Sequence, residues 1–81
     1  MIISELLDSG SQILKTHRIK TCQLDSEIIL SNLLKKQREK LITNSEEKVS
    51  RSIIDNFNRL ITRRSKREPL AYILKKKRIL V

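Results

Sequence analysis

The order of apolar residues predicts an all-α fold, a small bundle of four to five helices. Leu and Ile recur at spacings of three and four in three separate segments, the period of one helix face. Residues that cap helices precede two of those segments, and basic residues follow all three. The chain holds 38% hydrophobic residues but only two aromatics, Phe57 and Tyr72, so its interior has to be built from aliphatic side chains. Its 81 residues make one domain at most, burying roughly 60–65% of the surface that the unfolded chain exposes.

The first helix is predicted over residues 2–17, where Ile3, Leu6, Leu7, Gly10, Ile13, Leu14 and His17 form one face. Gly10 in its middle costs about 1 kcal/mol relative to Ala. Either another helix passes close there or the position is unoptimised. Arg18-Ile19-Lys20 ends the helix with basic groups near its negative pole.

Thr21 reads as the N-cap of a second helix, its hydroxyl accepting a free amide proton, with Asp25 and Glu27 suited to the positive end. Leu24, Ile28, Ile29, Leu30, Leu33 and Leu34 make an apolar face too wide for a surface helix, which predicts a central position in the bundle. Lys35-Lys36 closes it. Arg38-Glu39-Lys40-Leu41-Ile42 reads as a short helical turn that returns two apolar anchors to the core.

Asn44 or Ser45 is the expected cap of a long helix, with Glu46 and Glu47 in its first turn and Arg59, Arg63 and Arg64 toward its end. Its stripe is Val49, Ile53, Phe57, Leu60 and Ile61, and Phe57 is expected to pack against the first two helices. Glu68-Pro69 breaks it, because the residue before proline is pushed out of the helical region while proline itself suits a helix start. Pro69 to Leu74 then forms a final short helix. The apolar end Ile79-Leu80-Val81 reads as frayed, since a strand there has no partner.

The formal charge of +9 is uneven. Residues 62–78 hold eight cations against one acid, Glu68, a net +7, whereas residues 1–61 net only +2. Such a field attracts phosphate backbones or acidic partners, and a solvated face that keeps a small domain in solution is the plainer reading of it.

Several chemistries are excluded. One cysteine, Cys22, makes no internal disulfide, which fits a reducing cytoplasm. No apolar run approaches the ~18 residues of a membrane span. The single glycine rules out Gly-rich phosphate cradles. His17 and Cys22 are too few for a metal site and read as a helix-terminal side chain with a partly covered ring and a small helix-start residue. Glu46 and Glu47 are adjacent in sequence and point different ways on a helix, so they read as helix-dipole partners. No nucleophile is paired with a base, and no catalytic residue, cofactor or metal site is expected in this chain.

The string Arg67-Glu68-Pro69-Leu70-Ala71-Tyr72-Ile73-Leu74 after a long helix resembles the junction signature of the HemK/PrmC family of release-factor glutamine methyltransferases. Leu24-Asp25-Ser26-Glu27-Ile28-Ile29-Leu30 resembles that family's second-helix pattern, and Arg38-Glu39-Lys40-Leu41-Ile42 its short third element. Where the family usually has glycine and then an aromatic opening a hairpin, this chain has Lys75 and then Lys76-Lys77-Arg78.

The resemblance implies that residues 1–74 are the release-factor-docking domain and residues 75–81 the start of a linker to a methyltransferase domain outside this chain. The full enzyme would use S-adenosylmethionine to methylate the glutamine of the Gly-Gly-Gln loop in peptide-chain release factors. The residues expected to meet the partner are Arg63, Arg64, Lys66, Arg67 and Tyr72. The alternative is a free-standing basic module that contacts RNA or a ribosomal surface through residues 63–78 with little sequence preference. The domain is expected to be a monomer.

Overall fold

A computed structural model describes residues 1–74. The linker expected over residues 75–81, with its basic run Lys75 to Arg78, lies outside the described residues. Five helices follow in order: α1 (Ile3–Thr16), α2 (Cys22–Leu34), α3 (Arg38–Thr43), α4 (Arg51–Ser65) and α5 (Leu70–Ile73). The expected all-α bundle is what forms. α2 packs on α1, α3 and α4, as its broad apolar face predicts, while α1 also meets α3 and α4, and α5 rests on α4.

Leu6, Leu14, Ile29, Leu30, Leu41, Phe57 and Ile61 are fully buried and join Ile3, Ile19 and Val49 in one core. Phe57 packs against the first two helices as expected, and its place is made by Gly10. A Cβ on Gly10 would stand 2.6 Å from Cζ and 2.8 Å from Cε2 of Phe57, and 3.0 Å from the Ser26 hydroxyl of α2. The glycine therefore marks a close helix approach.

α1 begins under the loop between α3 and α4. The amides of Ile3 and Ser4 donate to the carbonyls of Glu47 (3.0 Å) and Ser45 (2.9 Å), and the amide of Val49 donates to the carbonyl of Met1 (2.9 Å). The Glu5 carboxylate accepts from the amide of Ile2 at 3.0 Å, half of a capping box. Orphan amides of the first helical turn thus find partners forty residues away.

That arrangement corrects the expected start of the long helix. Ser45 and Glu47 turn their carbonyls to α1, so the chain does not enter a helix at Asn44 or Ser45. It stays outside helical geometry to Ser50, whose hydroxyl accepts from the amide of Ile53 at 3.4 Å. Glu46 and Glu47 precede α4 rather than opening it, and Glu47 instead pairs with Lys36 at 3.1 Å.

Helix ends use left-handed residues, and among the described residues all three are basic: Arg18, Lys35 and Arg67, with φ of 62°, 57° and 69°. After α1 the amide of Ile19 bonds to the carbonyl of Leu14 (3.0 Å) and that of Arg18 to the carbonyl of Lys15 (2.9 Å), a Schellman motif. It turns Ile19 back onto the core, where it is 5% exposed. The same pair of bonds follows α2, from Lys36 to Ser31 (3.0 Å) and from Lys35 to Asn32 (3.3 Å).

Further expectations are corrected. His17 ends α1 but is exposed rather than partly covered, and its Nδ1 lies 2.9 Å from the carbonyl of Ile13. The hydroxyl of Thr21 donates to Asp25 at 2.9 Å and accepts no amide proton. Leu24 is 39% exposed, because α2 is rotated to bury Asp25, Ser26 and Glu27. Ile42 is 67% exposed, so α3 returns only Leu41 to the core.

Candidate functional site

The residues expected to meet a partner lie in the last turn of α4, the segment that follows it, and α5. Arg64 reaches back from α4 to the start of α2, where its Nε donates to Oδ2 of Asp25 at 2.9 Å. Its Nη1 donates to the carbonyl of Glu68 at 2.8 Å. Only 4% of the Asp25 side chain and 21% of the Arg64 side chain are exposed, so this pair is largely withdrawn from water. Burying both charges is offset by their pairing and by further bonds: Oδ2 of Asp25 accepts from Thr21 and Arg64, and the guanidinium spans a carboxylate and a carbonyl.

Arg63 forks onto one oxygen of Glu68, from Nε at 3.2 Å and from Nη2 at 3.0 Å. Arg67 crosses to α1, its Nη2 donating to the carbonyls of His17 (3.3 Å) and Arg18 (3.4 Å) at that helix's negative end. Lys66 is exposed and makes no side-chain bond or ion pair among the described residues. Tyr72 is 62% exposed. Of the five residues, the structure joins Arg63 and Arg64 around Glu68, sends Arg67 to the end of α1, and leaves Lys66 and Tyr72 facing solvent.

The three arginines hold elements together. Arg64 ties the start of α2 to the turn that leads through Pro69 into α5, and Arg63 reinforces that turn. The strings Leu24-Asp25-Ser26-Glu27 and Arg67-Glu68-Pro69, far apart in sequence, are thereby linked in space through one guanidinium. Glu27, 8% exposed, makes a second such connection: it accepts from Arg38 at 3.1 and 3.3 Å, anchoring the start of α3.

Reading the sequence misses Asp25 and Glu27 as ion-pair partners. A signal was present for Asp25: it stands four residues before Ile29, on the same helical face, so its carboxylate had to be buried with a counter-charge. Which cation supplies that charge is not written in the local sequence.

Residues 5–74 match the family model described as the PrmC N-terminal domain. The chain belongs to that family. As a PrmC N-terminal domain it is 37% identical over 75 residues to a release factor glutamine methyltransferase of Leptospira interrogans, covering 93% of this chain and 26% of that protein. It is 38% identical over 72 residues to a release factor glutamine methyltransferase of Aliivibrio fischeri, covering 89% of this chain and 25% of that protein. A bifunctional methyltransferase of Rickettsia felis is 35% identical over 72 residues, covering 89% of this chain and 14% of that protein. The chain thus spans about a quarter or less of these relatives' lengths. No solved structure matches it.

Among the described residues no group of three or more His, Cys, Asp or Glu is placed to hold a metal ion, and no helix is long and apolar enough to cross a membrane.

Proposed function

We propose that this PrmC N-terminal domain docks a peptide-chain release factor for a glutamine methyltransferase. The observation that carries the reading is the match of residues 5–74 to that family, together with the similarity to proteins of Leptospira interrogans and Aliivibrio fischeri named release factor glutamine methyltransferases. Residues 1–74 are the docking domain in this reading, and residues 75–81 begin the connection to the catalytic part. The joint of Asp25, Arg64 and Glu68 supports it, because it ties the turn before α5 to the start of α2 and so fixes where α5 begins on the bundle.

The residues of this chain do not fit S-adenosylmethionine. The one glycine is closed by the Phe57 ring, so no glycine-rich loop is available to approach a cofactor. We assign the cofactor, and methyl transfer to the glutamine of the release factor's Gly-Gly-Gln loop, to the methyltransferase domain of the full-length enzyme, acting in the cytoplasm.

The test is titration of the 81-residue chain with a peptide-chain release factor in low salt, beside a poly-uridylate RNA. Saturable binding to the release factor that exceeds binding to RNA is expected. A Lys66→Glu, Tyr72→Ala variant should bind more weakly with its helical content unchanged. RNA binding in the absence of release-factor binding overturns the reading and favours a phosphate binder, whose affinity falls by close to one logarithmic unit per tenfold rise in salt for each phosphate contact.

A further inference from the structure

Three of the cations that make no side-chain bond among the described residues lie together at one corner of the bundle. Lys15, Arg18 and Lys20 lie on the end of α1 and the turn into α2, all exposed, and none makes a side-chain bond or ion pair among the described residues. The chain has no acidic residue between Asp8 and Asp25, and Asp25 is turned inward onto Arg64. The end of α1 and the turn into α2 therefore carry no exposed acidic side chain of their own. Arg67 joins this corner from the far end of the chain, held against the carbonyls of His17 and Arg18, which adds a fourth cation.

Between these charges lies an open recess of about 480 Å³ lined by Lys15, Arg18, Ile19, Lys20 and Cys22. Ile19 is buried and Cys22 half-buried, so cations form its rim and an aliphatic side chain and a thiol its base. The Schellman motif that turns Ile19 inward produces this base while its left-handed residue, Arg18, stays on the rim.

The geometry points to this recess as the docking point for an acidic protein segment that carries one apolar side chain. Resting on the release-factor reading above, that segment belongs to the release factor. Acidic groups on the segment meet Lys15, Arg18 and Lys20, which speeds encounter, and the apolar side chain covers the half-buried Cys22 beside Ile19, which supplies the desolvated contact that charge alone lacks. An RNA strand fits less well. Its phosphates match the rim, but no aromatic side chain lines the recess for a base to stack on.

The single cysteine reports on the recess. The rate of Cys22 alkylation by iodoacetamide would be followed with a release factor, with a short Asp/Glu peptide bearing a central leucine, with its serine counterpart, and with poly-uridylate RNA. The release factor and the leucine peptide should slow alkylation, the serine peptide should slow it less, and Lys15→Glu with Lys20→Glu should weaken release-factor binding roughly tenfold in low salt. Both lysines are exposed, so an unchanged circular dichroism spectrum should show that the variant is folded.

Equal protection by the two peptides overturns the proposal. So does unchanged alkylation when a release factor is bound, which leaves the release-factor reading standing. Stronger protection by RNA than by the leucine peptide overturns it in favour of a phosphate chain. A release factor that does not bind at all, while the leucine peptide still protects Cys22, sinks the release-factor reading and supports the recess as an acidic-segment site.

Discussion

The ring of Phe57 lies across Gly10, close enough that a Cβ on the glycine would stand 2.6 Å from Cζ. The contact joins α4 to α1 at the middle of the bundle, and Ser26 of α2 closes the third side, so three helices meet where one side chain is missing. A glycine that weakens α1 by itself lets the one large ring of the core be fully buried.

Gly10→Ala should therefore destabilise the domain by about 1–3 kcal/mol, even though alanine favours the helix by about 1 kcal/mol. Phe57→Ala should cost about 3–5 kcal/mol. In the double variant the new methyl enters space the ring has left, so the combined loss should be smaller than the sum of the two. Urea denaturation measures all three, and strictly additive losses would show that the two residues do not meet.

Arg64→Ala leaves the Asp25 carboxylate buried with only the Thr21 hydroxyl, at a cost of about 3–5 kcal/mol. Replacing both charged residues, Asp25→Leu with Arg64→Met, should recover most of that loss, because no unpaired charge remains. Arg63→Ala, which breaks a more exposed pair with Glu68, should cost no more than about 1 kcal/mol. Equal effects of the two arginine substitutions in equilibrium unfolding would contradict the assignment of the joint to Arg64.

Lys35 adopts φ of 57° after α2, a conformation that crowds a Cβ and that glycine adopts without that crowding. Lys35→Gly should raise stability by about 0.5–1 kcal/mol, and Lys35→Ala should not. The difference between the two variants in thermal unfolding separates relief of backbone strain from the loss of a surface charge.

The start of α4 is tested at two serines. Ser50→Ala should cost about 0.5–1 kcal/mol, at the lower end for a cap because the bond to Ile53 is 3.4 Å long. Ser45→Ala should have little effect, since Ser45 serves α1 through its backbone carbonyl. A larger loss at Ser45 than at Ser50 in urea denaturation would return the cap to the position that periodicity suggests.

The sequence by itself determined the helices and their partners in outline. Spacings of three and four reflect geometry local to one helix, so the segment from Ile3 to Leu14 announces α1, and the broad face containing Ile29 and Leu30 announces a central α2. The family signatures were legible for the same reason: they are contiguous strings. Helix rotation and helix ends were less legible. Leu24 faces solvent while Asp25 is buried, and α4 starts at Arg51, because a cation thirty-nine residues away and amides of α1 compete for groups that local rules assign to their own helix.

Only the tertiary structure decided what each charge does. Arg63, Arg64 and Lys66 read alike as members of one basic run, yet Arg64 is withdrawn into the fold, Arg63 is paired across a turn, and Lys66 faces water. Conversely, Lys15, Arg18 and Lys20 come beside Arg67 only because α1 and α4 end at the same corner. Charge is a property of residues, but a field is a sum over distances. Those distances are set by the packing of Phe57 on Gly10 and of Arg64 on Asp25, contacts between residues that stand far apart in the chain.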